Sequence, residues 1–421
     1  MIGVGANGPV QSSPTAGGRR ARGLSAATRS QHGGWTTVEL SGLDQTTEEP
    51  YWIALSLVPG VGPVGFARLL GRFGTARAAW AAGASLLEEL PRVPPDAATG
   101  LARLQREGAG AVAERVREAT GRAGGVVITA LDPRYPPALA AADPRPPVLY
   151  VAGDLASMDA PCVAIVGTRR ATGYGRACAA EIADELARAG VTVVSGLAIG
   201  IDGQAHVAAV TAGGRSVAIL PSPLDRVYPP RHRDLAARLV ATGGALVSEL
   251  APAMAHGKPD FARRNRIIAG LARAVVVVEA PDRSGALLTA AAAVEYGREV
   301  FAVPGPIDSI ASRGCNRLIA DHQASIVTSA AALLHRIGAA PAGRPVSVTS
   351  LSDTEAMVLH ALLQRPGSIE ELIARTRVGT GPVASTLTLL EARGLVESYG
   401  GATFHATVVA RRIGRPAEPA R

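Results

Sequence analysis

The sequence has a single lysine, Lys258, three cysteines, four methionines and few aromatic residues, with Phe, Trp and Tyr together making 4%. Each shortage excludes something. Every other strong base is an arginine, which reads as compositional bias and not as design. Cys162, Cys178 and Cys315 are not paired at metal-ligand spacing, and their odd number argues against a disulfide framework. That usage fits a reducing, cytoplasmic setting. No stretch reaches about 18 consecutive apolar residues, so neither a membrane span nor a membrane partner is expected. Near the start, Arg19, Arg20 and Arg22 are followed by polar sequence, so an apolar signal core is missing. No cluster of histidines and carboxylates stands at metal spacing, and neither metal nor cofactor is expected. The scarcity of aromatics means that recognition leans little on stacking.

What is present bounds the answer from the other side. A chain of 421 residues with 47% hydrophobic content can bury a sizeable core and is long enough for two to three domains. The formal charge of +8 favours a polyanionic partner such as nucleic acid. An excess that small is common in a chain this long, so the clustering of charge carries more than its sum.

Residues 1–46 have no hydrophobic period and read as a disordered or extended extension. Residues 47–120 read as a small helical domain. Its break at Val58-Pro59-Gly60-Val61-Gly62-Pro63 resembles a helix-hairpin-helix, and a plain turn between two helices accounts for it equally well. Residues 121–160 read as a proline-rich connector with one strand at Val126–Ile128. From 161 to 336, short β-branched runs alternate with alanine-rich helical segments: Val163–Val166, Val191–Ser195, Ser216–Leu220, Ala245–Ser248, Val275–Glu279, Val300–Val303 and Ser325–Val327. Uninterrupted apolar strands between helices predict an α/β domain, a Rossmann-like doubly wound parallel sheet with helices on both faces. Its ligand site belongs at the carboxyl ends of the strands, where strand order reverses. Residues 337–350 are a linker. Residues 351–408 predict three helices and a hairpin with a Gly400-Gly401 turn, a winged helix, and 409–421 a tail. No internal repeat is visible.

Three constellations fall at the expected edge. After the first strand of the α/β domain comes Gly167-Thr168-Arg169, then Gly173-Tyr174-Gly175 opening a helix. Such a turn aims free N–H groups at an anion, but the spacing is neither G-x-G-x-x-G nor a P-loop. The next strand ends in Ser195-Gly196, with Asp202 where an N-cap belongs and His206 one turn on. Ser195, Asp202 and His206 could be read as a hydrolase set, but Ser195 lacks the G-x-S-x-G elbow, so a cap and a structural histidine are expected. The strongest local signal is Phe261-Ala262-Arg263-Arg264-Asn265-Arg266: three arginines beside an aromatic ring, suited to phosphates and base planes. Ser284 and Gly285, with Thr289 one turn later, add hydroxyls and a close-approach glycine. Arg231-His232-Arg233 is a weaker basic run. An edge with arginines, glycines and hydroxyls but no acid–base pair predicts a binding site and not an enzyme.

In order along 161–330, the chain resembles the DNA-processing protein A (DprA/Smf) family. The resemblance rests on Val166-Gly167-Thr168-Arg169, Val194-Ser195-Gly196-Leu197-Ala198 with Gly200-Ile201-Asp202, Tyr228-Pro229, Ser248-Glu249, Arg264-Asn265-Arg266-Ile267-Ile268-Ala269-Gly270, Ser284-Gly285-Ala286-Leu287 and Val303-Pro304-Gly305. No single piece is specific, but the ordered set is. It implies a Rossmann-like domain that binds single-stranded DNA in a basic pocket, self-associates as a homodimer, protects incoming DNA in natural transformation and loads the RecA-type recombinase. By position, Arg169 and Arg264-Asn265-Arg266 match the family's DNA-binding face. The chain departs where Thr168 replaces the usual serine and where Arg231-His232-Arg233 replaces Pro-x-x-Asn. The competing expectation is a nucleotide-processing enzyme like the phosphoribohydrolases. Their Pro-Gly-Gly-x-Gly-Thr-x-x-Glu turn would correspond to Ser284-Gly285-Ala286-Leu287-Leu288-Thr289, which lacks the glycine run and the glutamate. Transcriptional regulation through the winged helix is a third reading, weakened because the segment Pro382–Arg393 is basic only at its end.

Overall fold

A computed structural model of the chain describes residues 43–339, 351–392, 395–399 and 403–406. The chain divides into two units, Met1–Ala342 and Gly343–Arg421. The first unit opens with helices α1 (Gln45–Ser56), α2 (Pro63–Phe73), α3 (Ala76–Ala81), α4 (Ala97–Glu107) and α5 (Ala109–Arg122). Asp44 caps α1, accepting the N–H of Thr46, so the helix starts inside the segment expected to be disordered; residues 1–42 of that segment lie outside the described ones. Pro63 occupies the first turn of α2, where its missing N–H costs nothing. Trp52 and Phe66 meet at 4.7 Å between ring centroids within the core of this helical layer.

This layer contains a repeat that was not expected. Val58-Pro59 followed by Gly65-Phe66-Ala67-Arg68-Leu69 recurs as Val93-Pro94 followed by Gly100-Leu101-Ala102-Arg103-Leu104. The two copies pack reciprocally. A Cβ on Gly65 would lie 3.2 Å from Leu90, and one on Gly100 would lie 2.7 Å from Pro59, so each helix sits against the other's turn. The second turn carries Pro95 and Ala97 where the first has Gly60 and Gly62, which hides the correspondence from a reading of turn chemistry.

The α/β part of the unit follows as β1 (Val126–Thr129), α6 (Pro137–Ala140), β2 (Val148–Gly153), β3 (Cys162–Val166), α7 (Gly173–Arg188), β4 (Thr192–Ser195), α8 (Ile201–Thr211), β5 (Ser216–Leu220), α9 (Arg233–Ala241), β6 (Ala245–Ser248), α10 (Lys258–Leu271), β7 (Ala274–Val277), α11 (Gly285–Glu295), β8 (Glu299–Ala302), α12 (Arg313–Ala320), β9 (Ser325–Ile326) and α13 (Ala330–Arg336). The nine strands form one sheet in the order β1-β2-β6-β5-β4-β3-β7-β8-β9. All pairings from β6 to β9 are parallel, whereas β1–β2 and β2–β6 are antiparallel, so the Rossmann-like sheet is mixed and mostly parallel. Strand β2 was not expected. Its apolar run Val148–Ala152 follows Pro144, Pro146 and Pro147, which read as a linker, but a proline just ahead of a strand takes nothing from the ladder.

Both faces of the sheet are covered. Val163 and Ile165 of β3 pack with Ala179, Ile182 and Ala205 of α7 and α8. Ala164 and Val166, one residue out of step, pack with Ile267, Ile268, Ala286 and Ala290 of α10 and α11. Each fully buried valine or isoleucine is worth about 1.5–3 kcal/mol of transfer free energy, which is why no polar residue interrupts these runs. Strand order reverses beside β3, which pairs with β4 on one side and β7 on the other.

The second unit is a winged helix: α14 (Asp353–Gln364), α15 (Ile369–Thr376) and α16 (Thr380–Ala392), then antiparallel β10 (Val396–Tyr399) and β11 (Thr403–Ala406). Ser352 with Glu355 and Ser368 with Glu371 form capping boxes at the first two helices. Tyr399 pairs with Thr403; the Gly400-Gly401 turn, most of the 337–350 linker and the tail lie outside the described residues. Among the described residues no helix is long and apolar enough to cross a membrane.

Candidate nucleic-acid interface

Where β3 and β7 diverge in connectivity, their carboxyl ends open a cavity of about 480 Å³. The turn after β3 contributes Gly167, Thr168 and Arg169. The start of α10 contributes Lys258, Phe261, Arg264 and Asn265, and the segment opening α11 contributes Arg283, Ser284, Gly285 and Thr289. Ser284 caps α11, accepting the N–H of Ala286 at 3.3 Å, and the helix's positive end faces the same space. Asn265 donates to the Gly285 carbonyl at 3.2 Å, tying α10 to α11 across the mouth. Among the described residues Arg169, Lys258 and Arg283 are exposed and make no ion pair. The guanidinium of Arg169 lies over the Phe261 ring, 4.9 Å from its centroid. Three cations without protein counter-ions around one cavity hold a strong positive potential.

Arg264 does different work. It is buried, with 6% exposure, and Nη1 donates to the Gly196 carbonyl at 2.6 Å and to the Ile219 carbonyl, at the ends of β4 and β5. Nε donates to Asn265 Oδ1 at 3.2 Å. Burial pushes its pKa down to about 10, and the Asp202 carboxylate opposes that shift. Burial raises the pKa of Asp202 in turn, against Arg264 and the N–H groups of Gly196 and Ala198 that its Oδ2 accepts. A Cβ at position 196 would sit 2.4 Å from Nη1 of Arg264, so any side chain there would have to displace the guanidinium. Asp202 was expected to cap its helix. Gly200 occupies the cap instead, and Asp202, in the first turn, reaches back to the preceding loop.

The glycine-rich turn is braced from β7. Both oxygens of buried Glu279 bind Thr172, one accepting its N–H and the other its hydroxyl, and Thr172 caps α7. Gly175 lies flat on that carboxylate; a Cβ there would be 2.1 Å from Oε2. Gly173 is exposed at the helix start.

Several residues named from sequence are placed elsewhere. Ser195 is buried and donates to the Ile165 carbonyl at 2.6 Å. His206 pairs with Ser216 at 2.7 Å, not with Ser195, and burial drives its pKa down to about 3. Tyr174 donates to the Pro304 carbonyl at 2.7 Å and lines a neighbouring cavity with Glu279 and Pro306. Arg263 pairs with Asp260 at 3.3 Å outside the cavity lining, and Arg266 turns to Glu249 and the Pro144 carbonyl. Successive helical residues diverge by about 100°, so three arginines in four positions cannot share one face. Lys258 and Arg283 were not singled out. Each is a single base beside an acid, Asp260 or Asp282, and only the sheet topology brings them together.

A family model described as DNA recombination-mediator protein A matches residues 126–338, and one described as the DprA winged helix domain matches 339–402. Protein Smf of Synechocystis sp. is 33% identical over 397 residues, covering 85% of this chain and 98% of that protein. The chain belongs to the DprA/Smf family. The X-ray structure of DNA processing protein A from Streptococcus pneumoniae is similar with a TM-score of 0.58 and 30% identity, over 70% of this chain and 98% of that one. DNA processing protein A from Helicobacter pylori, studied for its single-stranded DNA binding mode, is 30% identical over 48% of this chain and 92% of its own, with a TM-score of 0.45. A DprA-like role in DNA processing follows for this member of the family.

Proposed function

We propose that the chain binds single-stranded DNA in the cavity at the carboxyl ends of β3 and β7, without altering it chemically. The carrying observation is that Arg169, Lys258 and Arg283 ring the cavity with no counter-ion among the described residues, beside the start of α11 and a half-buried Phe261. Phosphates replace the missing counter-ions, and the ring gives one base a face to stack on. A binding role is supported by how the acids are used. Glu279 holds the capping Thr172, and Asp202 holds two backbone N–H groups beside a Ser195 that is buried and donates to the Ile165 carbonyl, so the hydroxyls next to both acids are used in bracing the fold. Family membership supports the finer parts of the reading: a cytoplasmic homodimer that protects incoming single strands and passes them to a RecA-type recombinase.

A salt titration of oligonucleotide binding tests this. Each single-strand phosphate neutralised contributes about −0.7 to the slope of log affinity against log salt. The combined substitution of Arg169, Lys258 and Arg283 by alanine is expected to flatten the slope by about 2 and to weaken binding to all sequences alike. An unchanged slope would remove the cavity from the mechanism.

A further inference from the structure

Phe261 is the inner end of a row of rings that leads out of the cavity. Its ring carries Arg169 at 4.9 Å and meets Tyr228 edge-on, 5.5 Å between centroids at 83°. Tyr228, in the loop after β5, meets His256, in the segment before α10, at 6.0 Å and 61°. Neither Tyr228 nor His256 lines the cavity. Tyr228 is 38% exposed, and its hydroxyl makes no hydrogen bond among the described residues, so no polar partner accounts for its position. Arg231 and Arg233 follow it in sequence, both exposed and, among the described residues, without an ion pair. We propose that a bound single strand leaves the cavity over Phe261, Tyr228 and His256, and that Tyr228 with His256 forms a second nucleobase site followed by phosphate contacts at Arg231 and Arg233.

This rests on the cavity reading above and extends it. Rings interleaved with guanidiniums match a polymer that alternates flat bases with phosphates. The other way out leads past the glycine-rich turn to a cavity of about 520 Å³ lined by Thr172, Tyr174, Glu279, Pro304, Pro306 and two serines, with a carboxylate and no cation. That lining offers a phosphate no charged partner, whereas Arg231 and Arg233 stand exposed beside Tyr228. Bases paired within a duplex cannot reach the rings, so the row also favours unpaired strands.

The test uses the full chain and two oligothymidylates, one of three nucleotides and one of twenty. Substituting single positions of the longer one with 5-iodouracil is expected to give photocrosslinks to Tyr228. Tyr228→Ala is expected to weaken the twenty-mer about tenfold, the loss of one stacked base, while leaving the trimer and the salt slope unchanged. His256→Ala is expected to give a smaller loss in the same direction, and Tyr228→Phe to bind as the unmodified chain does. Equal binding of the twenty-mer by Tyr228→Ala, His256→Ala and the unmodified chain, with crosslinks confined to Phe261, would overturn the second site and leave the cavity standing. A chain that bound neither oligonucleotide in dilute salt would overturn both.

Discussion

Replacing Arg264 by methionine separates the residues that shape the site from those that touch its ligand. In the native fold, the guanidinium supplies hydrogen bonds to the Gly196 and Ile219 carbonyls, and its charge favours the ionised form of buried Asp202 without a direct ion pair. Bonds from a charged donor are worth about 1.5–3 kcal/mol each, and two strand-end carbonyls lose theirs. The methionine recovers part of the apolar packing, so a net loss of about 3–5 kcal/mol is expected. Lysine should rescue poorly, since an ammonium set to meet the two carbonyls that Nη1 bonds cannot also supply the Nε bond to Asn265 Oδ1. Arg169→Ala gives the contrast: Arg169 is exposed and touches only the Phe261 ring, so its loss should change stability by no more than about 1 kcal/mol while weakening DNA binding. Urea unfolding followed by circular dichroism reads both. If Arg264→Met unfolded within about 1 kcal/mol of the unmodified chain, the view of Arg264 as a buried brace would be refuted.

Two further outcomes follow from the same geometry. His206, held neutral with a pKa near 3, lies below its unfolded value, so acid protonates the unfolded chain first and stability falls as pH drops from about 6.5 towards 3. By pH 5 the loss attributable to His206 is about 2 kcal/mol, and the difference in pH slope between the native chain and His206→Gln measures it; equal slopes would exclude the histidine as the source. Gly175→Ala forces a methyl onto the Glu279 carboxylate, displacing the Thr172 brace at the start of α7. A stability loss of about 1–3 kcal/mol is expected, together with weaker oligonucleotide binding, and a variant unchanged in both would show that the turn needs no brace.

The parallel strands were legible because buried β-branched runs between helices permit little else, and every run read between 163 and 327 overlaps a strand. The winged helix was equally plain from Ser352, Ser368 and the apolar spacing between them. Strand β2 was hidden by flanking prolines, and the helical repeat by its unlike turns. At the site, local spacing identified the turn at Gly167 and the basic segment at Arg264, but not how the labour is divided among them. A sequence does not say which arginine of a run faces inward; the burial of Arg264 follows from where Gly196 and Ile219 end their strands. Lys258 and Arg283 carry no local signal, since a single base at a helix start is ordinary. Their common cause is the strand order, which becomes visible only when the chain is folded.

Under the proposed binding mode, that division would make the site both rigid and permissive. A buried guanidinium hydrogen-bonded to two strand-end carbonyls and facing Asp202 fixes the floor, and Glu279 fixes the turn beside it. Neither brace is free to reorganise around a ligand. The exposed cations above them are long, unpaired side chains on three separate segments, able to follow phosphates whose spacing changes with backbone conformation. A fixed floor with adjustable cations suits a flexible polyanion of any sequence. Reversing the arrangement, with exposed arginines locked in ion pairs, would raise the cost of releasing each one to a phosphate and make affinity depend on backbone geometry. Under the proposed binding mode, the absence of ion pairs at Arg169, Lys258 and Arg283 would be the structural basis of sequence tolerance. An acidic residue introduced beside any of them, such as Ala262→Glu near Arg169, would trade that tolerance for a local ion pair.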